Sequence, residues 1–350
     1  MKISDEDLEK SVDFLLRLLK TPSPTGYCER AINLIIDELK PFNAKFKIMN
    51  KGGLVVTIPG TNDEEHRAIC AHVDTLGGMV REIKKKGRIK FSPVGGFMFQ
   101  TVEGEYCTIF TSEGKEYTGT IVHKKTSIHV YARKLQEKGK YEETDVEIRL
   151  DEVVSSADDV KKLGIAIGDF IIFDPRAIRT SSNFIKSRHL DDKAGVTIML
   201  VAIKHILENK LTLPFTTHFY VTIYEETGHG ASSGLPSTVN ELVAIDMGAI
   251  GEGQSSDEFS VCICAKDANG PYDYSLRRRL EELCKKHNIK YCVDIYSFYG
   301  SDAATALRAG ADIKFALIGP GVDASHAFER THLDSIKHSI NLTLAYCLES

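Results

Sequence analysis

The sequence predicts an α/β protein whose central sheet is covered by helices on both faces and interrupted by a mostly β segment. Three observations carry this. Short apolar, β-branched runs alternate with amphipathic helical stretches from about residue 27 to 74 and again from about 180 to the end, the pattern of a sheet buried on both sides. Between about 77 and 175 the rhythm changes to strands and turns. The chain has 350 residues, more than one core comfortably holds and enough for about two domains.

The elements follow in order. "SDEDLEKSVDFLLRLLK" reads as an amphipathic helix, with Leu8, Val12, Leu15, Leu16 and Leu19 on one stripe and Ser4 as its cap. The helix "CERAINLIIDELK" leads to the strands "KFKIM", "GLVVTI" and "RAICAH". In the middle segment, "VREIKKKGRIKFSPVGG", "YCTIFTSEGKEYTGTIVHKK", "SIHVYARK", "DVEIRL" and "DFIIFD" read as strands and turns, with a hairpin at "SEGK". One short helix is predicted at "SADDVKKLG", capped by Ser155 or Ser156 and ended by Gly164. The polar run at 133–145, "RKLQEKGKYEETD", reads as a mobile, solvated loop. The α/β rhythm then resumes with helix "AGVTIMLVAIKHILENK" and strands "THFYVTIY", "LVAID" and "FSVCICA". Helix "SLRRRLEELCKKHN", strand "KYCVDIYS", helix "DAATALRAG", strand "KFALIG" and helix "HLDSIKHSINLTLAYCLE" complete it. A β segment set inside an α/β frame predicts an inserted small barrel. The expected boundaries are 1–76 with 176–350 for the frame and 77–175 for the insert.

Composition narrows the function. Hydrophobic residues make up 42% and charged residues 27%, ordinary for a soluble globular protein. A net charge of −5 offers no basic field for nucleic acid or an anionic membrane surface. The longest apolar runs, such as "FYVTIY", are far short of the roughly 20 residues of a membrane span. The N-terminus lacks the apolar core and cleavage site of a signal peptide. The eight cysteines, at 28, 70, 107, 262, 264, 284, 292 and 347, form no CxxC pair, and Cys262 and Cys264 share a strand face that suits no bridge between them. A cytoplasmic protein with reduced thiols is expected.

Open α/β sheets place their ligands at strand ends. There the sequence offers His72 and Asp74 in "ICAHVDTLGG", Asp191 and Asp192 in "RHLDDKAG", and Glu225 and Glu226 in "YEETG". Asp246 in "AIDMG" and His332 in "FERTHLD" complete the series. Imidazoles and carboxylates at successive strand ends form the donor set that Zn²⁺, Co²⁺ or Mn²⁺ favours. No single motif is specific, since HxD is common and a lone strand-end Asp is often a helix cap; the ordered set is the signal. Two adjacent glutamates would point to opposite sheet faces if their strand continued. The glycines of "TGHG" let the backbone turn there. Of the other histidines, His205, His218 and His338 read as ordinary helix or strand residues, and His229 either lines the site or occupies the turn. Ser301 and Asp302 in "YGSDA" are turn residues that can approach the site.

With "GRIKFSPVGG", "GDFIIFDPR", "KDANGP" and "YGSDAATALRAG" added, the chain resembles, nearly end to end, the tetrahedral and glutamyl aminopeptidases, cytoplasmic dinuclear metallo-aminopeptidases often misnamed endoglucanases. The resemblance implies a three-layer α/β/α metallopeptidase domain with a mixed sheet, and an inserted β-barrel serving substrate access or oligomerisation. It implies two divalent ions per subunit, Zn or Co with Mn as a third candidate, bridged by Asp191. One would be completed by His72 and Asp246, the other by Glu226 and His332. His332 is preferred to His326 because it immediately precedes the closing helix, as the family's ligand does. Glu225 would be the general base, Asp74 would accept the free N–H of His72, and Asp192 would not bind metal. The peptide after Asp191 would be cis. Many relatives carry an arginine after the glutamates where this chain reads "TGHGASSG", so no substrate contact by that arginine is carried over. The implied function is removal of N-terminal residues from short peptides by a homo-oligomer, often of twelve subunits. A two-metal deacylase of N-acyl amino acids is the alternative. A glycoside hydrolase, which would also use paired carboxylates, leaves the histidines unexplained.

Overall fold

The structure is a computed structural model that describes residues 2–131 and 141–350. It divides into two compact units, residues 1–75 with 176–350 and residues 76–175. Residues 132–140, which hold the end of "SIHVYARK" and most of the run read as a mobile loop, lie outside the described residues.

The first unit opens with α1 (Asp5–Lys20), where the Ser4 hydroxyl accepts the Asp7 amide at 3.0 Å and supplies one of the acceptors a helix start lacks. Leu8, Val12, Leu15, Leu18 and Leu19 are buried on its inner face. Helix α2 (Glu29–Leu39) and strands β1 (Phe46–Ile48), β2 (Leu54–Ile58) and β3 (Gly60–His72) follow. Strand β3 begins seven residues earlier than its apolar core "RAICAH" predicts. Its polar first half is mostly exposed and carries no apolar alternation to read.

The second unit is a closed six-stranded barrel in the order β4 (Gly77–Ile83), β5 (Ile89–Val94), β8 (Val146–Leu150), β7 (Glu116–His123), β6 (Tyr106–Phe110) and β9 (Phe170–Phe173). Val80, Ile89, Phe91, Ile109, Ile121, Ile148 and Ile171 fill its core. The segment expected to form a strand at "SIHVYARK" instead makes one helical turn, α3 (Ile128–Tyr131). Ile128 and Val130 are exposed, so no buried face holds this segment to a strand's alternation. Helix α4 (Ala157–Lys162) is capped by Ser156, whose hydroxyl accepts the Asp159 amide while the Asp159 carboxylate returns to the Ser156 amide.

The first unit resumes with β10 (Ile178–Arg179), β11 (Phe184–Ser187) and α5 (Leu190–Glu208). It continues through β12 (Leu213–Thr222), β13 (Val239–Ile245), β14 (Gly248–Ala249), β15 (Val261–Asp267), β16 (Gly270–Pro271), α6 (Tyr274–His287) and β17 (Tyr291–Ile295). Helix α7 (Asp302–Arg308), β18 (Lys314–Val322), β19 (Glu329–His332) and α8 (Leu333–Leu348) end the chain. The main sheet runs β1-β2-β12-β3-β13-β18-β15-β16, with β17 on β15. It is mixed. β12, β3, β13 and β18 are parallel, β2 runs against β12 and β15 runs against β18, while β17 lies parallel to β15.

Successive residues of β3 feed two different cores. Ile69 and Ala71 pack with residues of α1, α2, α5 and α8, whereas Ala68 and Cys70 pack with Ala303 and Ala306 of α7. Helices therefore cover both faces, and the apolar runs need no polar alternation. Helix α5 is deeply enclosed: every residue from Leu190 to Ile203 is buried.

Candidate metal centre

Because β3, β12 and β13 are parallel, their carboxyl ends open at one edge of the sheet. Thr222, at the end of β12, pairs with His72, at the end of β3. Asp246 follows β13 directly and its amide donates to the Ile318 carbonyl of β18. A Cβ at Gly319 would lie 1.6 Å from the Asp246 carbonyl oxygen, so only glycine permits this approach.

The two glutamates leave the strand before they need to share a face. β12 stops at Thr222, Tyr224 takes φ 70°, and Glu225–Thr227 form a single 3₁₀ turn closed by Gly228 at φ 78°. Successive side chains on such a turn lie about 120° apart, not on opposite faces. The turn is held from beneath: the Asp74 carboxylate accepts the amides of Glu225 (3.2 Å) and Glu226 (3.4 Å) and the Thr25 hydroxyl (2.6 Å).

Asp191 occupies the middle of the cluster. Its Oδ1 lies 3.1 Å from His72 Nε2 and its Oδ2 lies 3.4 Å from His326 Nε2. His72 Nε2 is also 3.8 Å from Glu225 and 4.0 Å from Asp246, and His326 Nε2 is 3.6 Å from Glu226. Two ligands bound at about 2.0–2.2 Å around one tetrahedral ion lie about 3.3–3.6 Å apart, so these separations suit shared ions. His72 Nδ1 donates to the carbonyl of Asp74 at 3.0 Å, which leaves Nε2 free as a donor to metal. Asp74 thus accepts this N–H through its backbone carbonyl and not through its carboxylate. That group is farther, at 3.6 Å, because it is turned toward the glutamate turn.

Asp192 reaches the same space. Its nearest carboxylate oxygen and the ligating atoms of His72 and Asp246 all lie within 4.8 Å of one another. Both of its oxygens are engaged, however, by the amides of His72 (3.2 Å) and Gly195 (3.0 Å). A Cβ at Gly195 would sit 2.2 Å from Asp192, so the chain keeps that place clear. The Asp191–Asp192 peptide is cis.

The structure brings together His72, Asp191, Glu225, Glu226 and Asp246, but not His332. That residue caps α8, accepting the Asp334 amide on Nδ1 at 3.1 Å, and its Nε2 lies 3.0 Å from the Ser182 carbonyl. Its ring packs edge-on to Phe184 at 4.9 Å, because β19 pairs with β11 and carries its last residue away from the sheet opening. His326, in the loop between β18 and β19 at φ 60°, points into the cluster instead. Sequence reasoning also missed Glu329. Buried on β19, it accepts the amides of Asp191 and His326, both at 3.1 Å, and so ties the two halves of the cluster together. Its signal was slight: a glutamate on the inward side of a short alternating strand. His229 is exposed in its turn and does not line the cavity. Ser301 caps α7, and Asp302 accepts the Ala231 amide at 2.8 Å and bonds the Thr222 hydroxyl.

The charges do not balance among protein groups alone. Burial, then the Asp191 charge, pushes the Asp246 carboxyl up to about 7 and Glu329 to about 8. Burial also drives Glu225 and Glu226 well above the usual carboxylate range, opposed by the imidazoles and reinforced by neighbouring carboxylates. Only Asp191 is held below that range, because hydrogen bonds from His326 and His72 outweigh its burial. A crowd of buried carboxylates with two imidazoles is what a bound divalent cation relieves, so this donor set fits metal. Above it opens a cavity of about 780 Å³ whose walls include Met247, Ile250, Tyr296, Phe298 and Tyr299.

Comparison with known proteins agrees. The model of the M42 glutamyl aminopeptidase family matches residues 52–342. YhfE of Bacillus subtilis (strain 168), which carries an aminopeptidase name, is 50% identical over 341 residues, 97% of each chain. The lysyl aminopeptidase of Pyrococcus furiosus is 23% identical over 290 residues, covering 81% of this chain and 80% of that one. The TET1 peptidase of Pyrococcus horikoshii, which can assemble into a tetrahedron or a large octahedral shell, shares the fold at a TM-score of 0.84 and 23% identity over 97% of this chain and all of that one. With the family model spanning most of its length, the chain belongs to the M42 glutamyl aminopeptidase family of metallo-aminopeptidases.

Proposed function

We propose that the protein removes N-terminal residues from short peptides, using two divalent ions shared through Asp191. His72 and Asp246 would complete one ion and Glu226 and His326 the other. The observation that carries this reading is the division of Asp191, one oxygen toward each imidazole. When bound, such an ion pair supplies an acidified water and a Lewis-acid grip on the scissile carbonyl.

The chain's own groups do the rest. Glu225 is the general base: it lies 3.8 Å from His72, and burial raises its proton affinity, which suits a group that takes a proton from water and returns it to the leaving amine. Asp74 holds the turn that presents Glu225 and Glu226. The acidic floor offers a counter-charge for a free α-ammonium group. The apolar and aromatic walls exclude water from the first side chain. Zn²⁺, Co²⁺ and Mn²⁺ all suit these donors. By analogy with the TET1 peptidase, the working form is a homo-oligomer. Among the described residues no helix is long and apolar enough to cross a membrane, and a cytoplasmic location is proposed.

The test is a panel of aminoacyl chromogenic substrates on metal-stripped protein with single cations restored, beside N-acetylated controls and Glu225→Gln. Cation-dependent cleavage of the free-amine substrates only, lost in Glu225→Gln with metal content retained, is expected. Cleavage of the acetylated compounds instead would identify a deacylase, and chelator-insensitive activity would overturn the metal reading.

A further inference from the structure

The molecule holds a second reactive centre, a pair of thiols on the edge of the main sheet. Cys262 of β15 and Cys292 of β17 are direct partners in a parallel ladder, so their side chains stand on one face. Their sulfurs are 3.4 Å apart. Neighbouring strands place paired Cα atoms about 4.8 Å apart, inside the range a disulfide spans. No local pattern announces this pair, because the two residues are thirty positions apart and register alone unites them.

The two sulfurs differ in character. Cys262 is buried and Cys292 is partly exposed on β17, which pairs only with β15 among the described strands. The hydrogen bond with Cys262 pulls the Cys292 thiol below its ordinary value against its burial, with the Ser256 hydroxyl and the Asp257 amide helping. The same hydrogen bond, and then burial, pushes Cys262 up, and burial pushes up the other six cysteines, Cys28, Cys264, Cys284 and Cys347 to about 12. Thiolate character and access together select the attacking thiol, and both select Cys292.

We infer that Cys262 and Cys292 form an oxidisable dithiol whose co-reactant is a peroxide, with Cys292 attacking and Cys262 resolving. The Cys292 thiolate attacks one oxygen of HOOH; an S–O bond forms, the O–O bond breaks, and hydroxide leaves to become water. The Cys262 sulfur, giving up its proton, then displaces hydroxide from the Cys292 sulfenic acid; the S–S bond forms, the S–O bond breaks, and a second water leaves. Two thiols are oxidised by two electrons and one peroxide is reduced. The product would fix β17 against β15. The chain runs from Ile295 straight into Tyr296–Tyr299, the cavity wall, and Tyr296 bonds the Ser256 hydroxyl at 2.7 Å beside the sulfurs. Oxidation therefore stiffens the wall that the substrate's first side chain meets. This last step rests on the aminopeptidase reading; the chemistry of the pair does not.

The experiment treats the intact, metal-loaded protein with hydrogen peroxide, blocks remaining thiols and maps peptides by mass spectrometry. A Cys262–Cys292 cross-link reversed by dithiothreitol is expected, and in Cys262→Ser dimedone should capture a sulfenic acid at Cys292. Dimedone labelling spread evenly over the cysteines, or oxidation of Cys292 without a cross-link in the unaltered chain, overturns the dithiol. Oxidised protein should show a several-fold higher KM, restored by dithiothreitol and absent in Cys292→Ser. A complete cross-link with KM unchanged overturns the coupling to the cavity while the dithiol stands.

Discussion

Glu329 and Asp191 are joined by a hydrogen bond from the Asp191 amide to the Glu329 carboxylate at 3.1 Å, and the other oxygen of that carboxylate takes the His326 amide. One buried side chain thus sets the spacing between the residue at the centre of the cluster and a residue at its rim. Glu329→Gln can accept only one of these amides and must aim an N–H at the other. We expect metal affinity to fall about 10- to 100-fold, read by titration against a competing chelator. Unchanged affinity would show that the two backbone segments hold themselves in place.

His326 and His332 make opposite predictions. His326→Ala should lose about half of the bound metal, by elemental analysis, with little change in Tm. His332→Ala should keep its metal and lose about 1 kcal/mol of stability, the usual cost of a helix cap. The reverse pattern would restore His332 to the centre.

Asp74→Asn leaves one acceptor where two amides and a hydroxyl now converge. Losing a charged acceptor typically costs about 1.5–3 kcal/mol, which in kcat corresponds to about ten- to a hundredfold. Asp74 does not line the cavity, so KM should stay within about twofold by the same reasoning. A normal kcat in steady-state assays would remove Asp74 from the positioning of Glu225.

Far from the cluster, burial and the neighbouring His66 hold the His218 imidazole down at about 4. Its nitrogens meet Thr57 and His66, both at 2.9 Å. A folded value below the unfolded one means that the unfolded chain binds more protons. Stability from this group is therefore complete above about pH 6.5 and drains as pH falls toward 4. Thermal melts of His218→Gln should be flatter between pH 7 and 5 than those of the unaltered chain. Parallel curves would rule the contribution out.

Much of the fold was legible because its periodicities are strong: β12, β13 and β18 are short apolar runs, and Ser4 and Ser156 announce their helices. What escaped was set by partners distant in sequence. The polar half of β3 pairs because β12 and β13 flank it, not because of its own pattern. Ile128–Tyr131 reads as a strand by composition but has no buried face to enforce one. At the candidate site, the strand-end positions of His72, Asp191, Glu225, Glu226 and Asp246 could be read from local sequence. The choice between His326 and His332 could not, since it turns on the pairing of β19 with β11 and on a loop residue with positive φ. Glu329 was invisible for the same reason: its partners are backbone amides, which no side-chain pattern records.

Asp191 sits at the amino end of α5, whose residues are sealed from solvent through Ile203. The piece of chain that positions the cluster's centre is thus also a piece that one of the main sheet's two cores is built around. Warming cannot loosen the one while sparing the other. Heat inactivation should coincide with cooperative melting of the entire first unit, and no temperature window should exist in which the protein is folded yet catalytically dead.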